Sequence, residues 1–414
     1  MQRLADNWLA RCLVGAFFRR RARRRLVEID HHDAARTQTR LLRGLVHRAR
    51  ATRFGRDHDF GRIRTPADYR RLVPLRTPLR LWQEYGQLHF PELQNVLCPE
   101  PVLHLLPVGD APGEALPFVP LTPGLLDSYR CAALTALALA GPAVPGRILS
   151  VGGGAAPLAM ADGSPAGSLE EVVLRTAPLL LRPRLGWSPL AFGGPALTDD
   201  SCRLPPEAAV RQPVSCLIGT AGRLQRFLEL GRRLTGRQRV REIWPQLTTV
   251  LYGLDTSGVT GRELAALLGS DAVRLLRYCP RPEGILAVED PRCGRLRLLT
   301  DHGLYYEFVP VEELYAAAPG RRSVAEVEAG APYALAVTSP AGAWACLTGL
   351  TVRFACRQPL LLERIEAAAP ESPRSRTEAP ALSLPPPRPG TVGIPAAHPE
   401  TPFHTPWSAP ADRG

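Results

Sequence analysis

The stretch VSCLIGTAGRLQRFLELGRRL, Val214 to Leu234, decides the fold. Val214 to Ile218 is a short apolar run of strand length. After Gly219 and Thr220 the apolar residues Leu224, Phe227 and Leu228 recur at helical spacing, so a strand over 214–218 is followed by a helix over 221–234. The alternation continues downstream: strand 247–251, helix 261–268, strands 273–278 and 284–288, then 296–300, 303–310, helix 323–329, and strands 333–338 and 343–356. Such alternation predicts an α/β domain with mixed sheets.

Upstream, residues 1–50 read as helix, because Trp8, Leu9, Leu13, Phe17, Leu41, Leu42, Leu45 and Val46 fall at helical spacing and no proline precedes Pro66. Thr65 and Pro66 have the chemistry of an N-cap and first helical position for a helix ending at Leu72, and a second short helix is expected around 79–86. LHLLPVGDAPGEALPFVPLT, Leu103 to Thr122, reads as strand, turn-rich loop and strand, and a helix follows over 123–140. Arg147 to Val151 is a buried-type strand ending in Gly152, Gly153 and Gly154; Pro157 spoils a dinucleotide fingerprint there, so a strand-ending turn is the reading. Residues 155–210 are proline-rich, with helix expected at 169–181. From about Ala368 the composition shifts to Pro, Ser, Thr, Glu and Ala, including LPPPRPG at 384–390. A tail of that kind is expected to be disordered; a protein partner with an aromatic groove could take it, but a solvated tail is the favoured reading.

Composition narrows the function. Of 414 residues, 51 are basic and 39 acidic, a net charge of +12, and every basic residue is arginine. With high Ala, Gly and Pro, this surplus reads as compositional bias rather than as a surface for nucleic acid or membrane, and RRRARRR at Arg19 to Arg25 reads as a solvated helix face. Asp30, His31, His32 and Asp33 cannot converge on one ion from consecutive helical positions. Nine scattered cysteines with no CxxC spacing argue for reduced thiols in a cytoplasmic protein. No apolar window reaches the roughly 18 residues of a membrane span, and the N-terminus lacks signal-peptide order.

Four segments carry a family resemblance: TRFGRDHDFGRIRTPADYRRLVPLR (52–76), EIWPQLTTVLYG (242–253), YCPRPEGILAVEDPR (278–292) and LYYEFVPVEEL (304–314). In order and spacing they resemble the Gretchen Hagen (auxin-responsive) acyl acid-amido synthetases, and the similarity spans roughly residues 30–362. The resemblance implies an adenylate-forming enzyme, which uses ATP and magnesium to activate a carboxylic acid and passes the acyl group to an amine, usually of an amino acid. It implies a large N-terminal α/β domain with mixed sheets over 51–365, residues 1–50 being its helical lead-in and 366–414 a tail, with the C-terminal lobe missing.

The family's nucleotide motifs map as follows. The one resembling TSGTTG falls on Val108 to Gly113, with Ala115 in the lysine place and Pro120 and Thr122 closing it; Gly113 and the closing pair alone survive. The one resembling YxASEG falls on Tyr278 to Gly284, with Glu283 matching the magnesium-holding glutamate, Cys279 in the adenine-stacking place and Tyr278 one position off. The one resembling YRLGD falls on Cys346 to Leu350, where Leu350 replaces the ribose-gripping aspartate and cannot accept its hydrogen bonds. The remnant site expected is therefore Gly113, Thr122, Tyr278 and Glu283, with Glu283 the one metal candidate and no catalytic residue assigned. These losses lead us to expect a non-catalytic or reduced member that keeps a small acid or amino acid as ligand. An active, diverged synthetase and an arginine-rich module for nucleic acid or membrane are the alternatives.

Overall fold

The computed structural model describes residues 8–90, 92–107, 118–141, 147–152, 185–189, 206–253 and 258–367. Its helices of seven or more residues are α1 (Trp8–His31), α2 (Ala34–Ala49), α3 (Pro66–Leu72), α4 (Pro123–Ala140), α5 (Ala221–Thr235) and α6 (Gly261–Leu268). A short antiparallel pair, β1 (His104–Pro107) and β2 (Phe118–Leu121), stands apart from the main sheet. The main sheet contains β3 (Arg147–Gly152), β4 (Leu185–Pro189), β5 (Val214–Thr220), β6 (Thr249–Gly253), β7 (Arg274–Arg281), β8 (Gly284–Asp290), β9 (Arg295–Leu298), β10 (Tyr305–Pro310), β11 (Pro332–Thr338), β12 (Cys346–Arg357) and β13 (Leu360–Ala367).

These eleven strands run in the order β10-β11-β12-β13-β9-β8-β7-β6-β5-β3-β4. The pairings from β4 to β7 are parallel, and those from β7 to β10 are antiparallel. Strand β7 is thus the seam between the two halves, and the hairpin that leaves its C-terminal end carries Glu283.

The parallel half is buried on both faces, which explains its nearly continuous apolar strands. Val151, Leu217, Val250 and Tyr252 pack with α5 and α6, while Cys216, Leu251 and Leu276 alternate to the other face against Ile29 of α1 and Ala132, Ala136 and Leu139 of α4. Helix α2 is amphipathic, with Leu42, Leu45, Val46 and Ala49 on its buried side. Gln38 on that side pins it to the sheet: its amide donates to the Thr300 and Leu304 carbonyls at 2.8 and 2.7 Å, and its oxygen accepts from the Tyr306 amide at 2.8 Å.

Most expected elements are present with ends shifted by a few residues, and 66–72, 123–140 and 261–268 are helices with the expected ends. The short helix expected at 79–86 is a helical turn over Pro78–Leu81 continued by a π-type turn over Trp82–Gly86. Residues 323–329 are a turn rather than a helix, because the side chain of Glu326 folds back to accept from the Ser323 amide and from Arg70 instead of extending a helical ladder. Strands β4 and β13 add to the expected elements. The helix expected at 169–181, Gly153, Gly154 and the tail from 368 lie outside the described residues. Among the described residues no helix is long and apolar enough to cross a membrane.

The charged segments near the N-terminus hold the helices in place. Arg25 is buried, pairs with Asp301 through two bonds of 2.6 and 2.7 Å, and donates to the Thr135 hydroxyl at 2.7 Å, so this last arginine of the run is not solvated. Asp30 accepts from Arg292 and Arg297, His32 meets the Thr300 hydroxyl at 2.7 Å, and Asp33 caps α2. Each member of the Asp30–Asp33 cluster with a described partner is occupied in docking or capping.

Candidate functional site

The site is built where three segments meet at the end of β7. The first is β2, which enters from residues 108–117 and leads through Thr122 into α4. Gly113 and the other loop residues through Ala115 lie outside the described residues. Thr122 is fully buried, and its hydroxyl accepts from the Leu125 amide at 3.3 Å as the N-cap of α4. Its oxygen is spent on an orphan amide of the first helical turn.

The second segment is the β7–β8 turn. Gly284 there has φ of +145°, and a Cβ on it would press on the Leu304 side chain, so the turn takes a conformation that favours glycine. The Tyr129 hydroxyl of α4 lies 2.5 Å from the Arg281 carbonyl and 2.9 Å from that of Pro282, and holds the turn against the helix. Tyr278 pairs along the backbone with Gly253 and Val288, and its ring is half-buried in the cluster beneath α1 and α4. Cys279 packs against the antiparallel half, and burial pushes its thiol up to about 12.

Glu283 is the unusual residue of the turn. It has no solvent exposure, and neither carboxylate oxygen meets a donor at bonding distance. Burial pushes its carboxyl above the ordinary value; the Arg281 guanidinium, with Nε 4.0 Å away, and the residue's own amide offset this only in part. The carboxyl faces a cavity of about 20 Å³ whose walls include Trp82, Phe118, Pro120, Gly342 and Cys346. That volume suffices for about one water molecule.

The third segment is the start of β12. The Arg281 guanidinium donates to the Thr348 carbonyl at 2.7 Å and ties the β7–β8 turn to this strand. Leu350, the residue in the ribose-gripping place, pairs with Ala367 and packs on the apolar cluster of the antiparallel half. The start of the strand is reinforced by Arg76, whose backbone bridges Cys346.

The structure therefore brings Glu283 together with β2 and the start of β12, while Tyr278 and Thr122 fall outside the cavity wall. Sequence reasoning missed Tyr129, Trp82 and the tying role of Arg281. The one available signal was Arg281 itself, a long cation where the resembling motif has alanine. Magnesium triphosphate demands several oxygen ligands and a pocket of hundreds of cubic ångströms. The described residues around Glu283 do not fit it: they offer one carboxyl, held toward its neutral form, and a one-water void. Among the described residues no group of three or more His, Cys, Asp or Glu could hold a metal ion.

Comparison with known proteins agrees with the architecture. The chain matches the GH3 family N-terminal domain over residues 23–190 and the GH3 family central domain over 297–360. Among solved structures it is similar to the GH3.15 acyl acid amido synthetase in complex with 2,4-DB, with TM-score 0.62 and 15% identity over 81% of this chain and 68% of that one. It is also similar to an open conformation of 2-hydroxyisobutyryl-CoA ligase in complex with 2-HIB-AMP and CoA, with TM-score 0.52 and 12% identity over 78% and 71%. No curated protein sequence matches. The mixed α/β sheet of the adenylate-forming type, together with both domain matches, establishes that this chain belongs to the GH3 family.

Proposed function

We propose that this chain keeps the adenylate-forming scaffold of an acyl acid amido synthetase without forming an adenylate, and retains a small carboxylic acid or amino acid as its ligand. The observation that carries this reading is the environment of Glu283: a carboxyl of no exposure, in a cavity of about 20 Å³, in the place where the resembling family holds magnesium. Leu350 in the apolar cluster supports it, since it puts a packing side chain in the place of the ribose-gripping aspartate, and Arg281 is spent on the Thr348 carbonyl. Titration calorimetry with ATP and magnesium is expected to give no heat in the micromolar range. Pyrophosphate release with carboxylic and amino acids supplied is expected to stay at background. Micromolar ATP binding would sink the reading.

One observation favours a second reading. A buried carboxylate without a donor stands out among native polar groups and suits a site awaiting a cationic ligand. An active, diverged synthetase would use Glu283 in that way, and Glu283→Gln would then abolish acid-dependent pyrophosphate release. Release at the parent's rate in that variant removes this alternative.

A further inference from the structure

The solvent face of α2 carries Arg36, Arg40, Arg43, His47 and Arg50. At about 100° per residue these positions lie within about 80° of one another, opposite the buried stripe of Leu42, Leu45 and Ala49. From Arg36 to Arg50 the row is about 21 Å long. It forms one wall of a cleft of about 810 Å³, closed on the other side by the segment from Phe60 to Arg64. All five arginines of the cleft are exposed, and among the described residues none of them makes an ion pair and no carboxylate lines the cleft. Like charges three and four residues apart destabilise a helix.

We propose that this cleft binds a linear polyanion of closely spaced phosphates, inorganic polyphosphate. Planar guanidinium groups take phosphate oxygens in pairs, and a row of them inside a concave wall focuses the positive field on one line. Competing occupants fit less well. Phe60 is 2% exposed, so nucleic-acid bases would find no large aromatic ring of Phe, Tyr or Trp to stack on in the cleft. The exposed large apolar side chains lie elsewhere, at residues such as Val27, Leu88 and Tyr315, so a lipid surface would receive no apolar anchor from the cleft. The chain's own tail from residue 368 carries as many arginines as acids and brings no net negative charge.

The test is titration of the full chain with medium-length inorganic polyphosphate across a salt series. Binding is expected to weaken with salt at a log–log slope of about −3, the value for four to five phosphates neutralised on a flexible strand. The double variant Arg40→Glu, Arg43→Glu should weaken it by about tenfold or more per reversed charge, with an unchanged unfolding midpoint because both residues are exposed. Arg40→Gln with Arg43→Gln should give a smaller loss in the same direction. Arg21→Glu with Arg23→Glu, on the exposed run of α1, should leave binding as it is. Equal loss from both Glu pairs, or loss from neither, would overturn the proposal. So would tighter binding of single-stranded RNA, poly-glutamate or acidic vesicles than of polyphosphate at matched charge.

Discussion

Glu283 and His302 are buried titratable groups within a few residues of the β8–β9 hairpin, and each makes a pH prediction of opposite sign. Burial pushes the His302 imidazole down to about 4, against the partial offset of Asp301 and of the Ile285 carbonyl that its Nε2 meets at 2.8 Å. A depressed histidine contributes stability above its unfolded value of 6.5 that is lost as pH falls toward 4. Over that window the loss should be about 3 kcal/mol. Denaturant unfolding of His302→Gln at pH 7 and at pH 4 should show a correspondingly smaller acid loss. Glu283 runs the other way: its raised carboxyl contributes stability present below the ordinary value of 4.5 and lost as pH rises through the folded value. Glu283→Leu removes two unsatisfied buried oxygens from an apolar cavity and should raise stability at neutral pH by about 1 to 3 kcal/mol in chemical unfolding. A large destabilisation would show that Glu283 has a partner in solution. The identity of Glu283 as the residue to watch was legible in the sequence; its burial was not, because the walls around it come from segments about 160 to 200 residues upstream and about 60 residues downstream.

At the scale of elements, the segments that the sequence specified best have local signals. In α3, Thr65 accepts from the Asp68 amide while Asp68 accepts from the Thr65 amide, a reciprocal cap readable from four consecutive residues. Helix α6 has the same device in Thr260 and Glu263 and ends at Gly269 in the left-handed region. The turn at 323–329 misled because Val324 and Val327 have helical spacing while a side-chain contact with Arg70 fixes the turn. Gly342 is a further element-level determinant. Its φ is +90°, and a Cβ would come within 2.9 Å of the Leu97 carbonyl group. Gly342→Ala should therefore destabilise by about 2 kcal/mol or more, measured as a lowered denaturation midpoint, since both strain and backbone contact oppose it.

At the scale of the whole molecule, long-range ion pairs join the N-terminal helices to the sheet. Burial pushes the Asp301 carboxyl up, yet the hydrogen bonds and charge of Arg25 outweigh this and hold it below its ordinary value. Arg25→Leu leaves that carboxylate part-buried without its guanidinium, and about 3 kcal/mol of stability should be lost in thermal or chemical unfolding. A loss below about 0.5 kcal/mol would show that α1 does not depend on the pair. By itself the sequence determined the α/β class, the order of the main strands and helices from 214 to 310, the Thr65 cap, and the family to which the four resembling segments point. Those follow from periodicity and side-chain chemistry within a few residues of one another. Only the tertiary structure decided that β7 is the seam between parallel and antiparallel halves, that Glu283 ends in a one-water cavity, and that Arg36, Arg40, Arg43, Arg50 and Arg64 line an open cleft while Arg25 is buried. Each of these depends on which distant segments share a surface, and burial, charge pairing and void volume are properties of that shared surface rather than of any residue's neighbours in the chain.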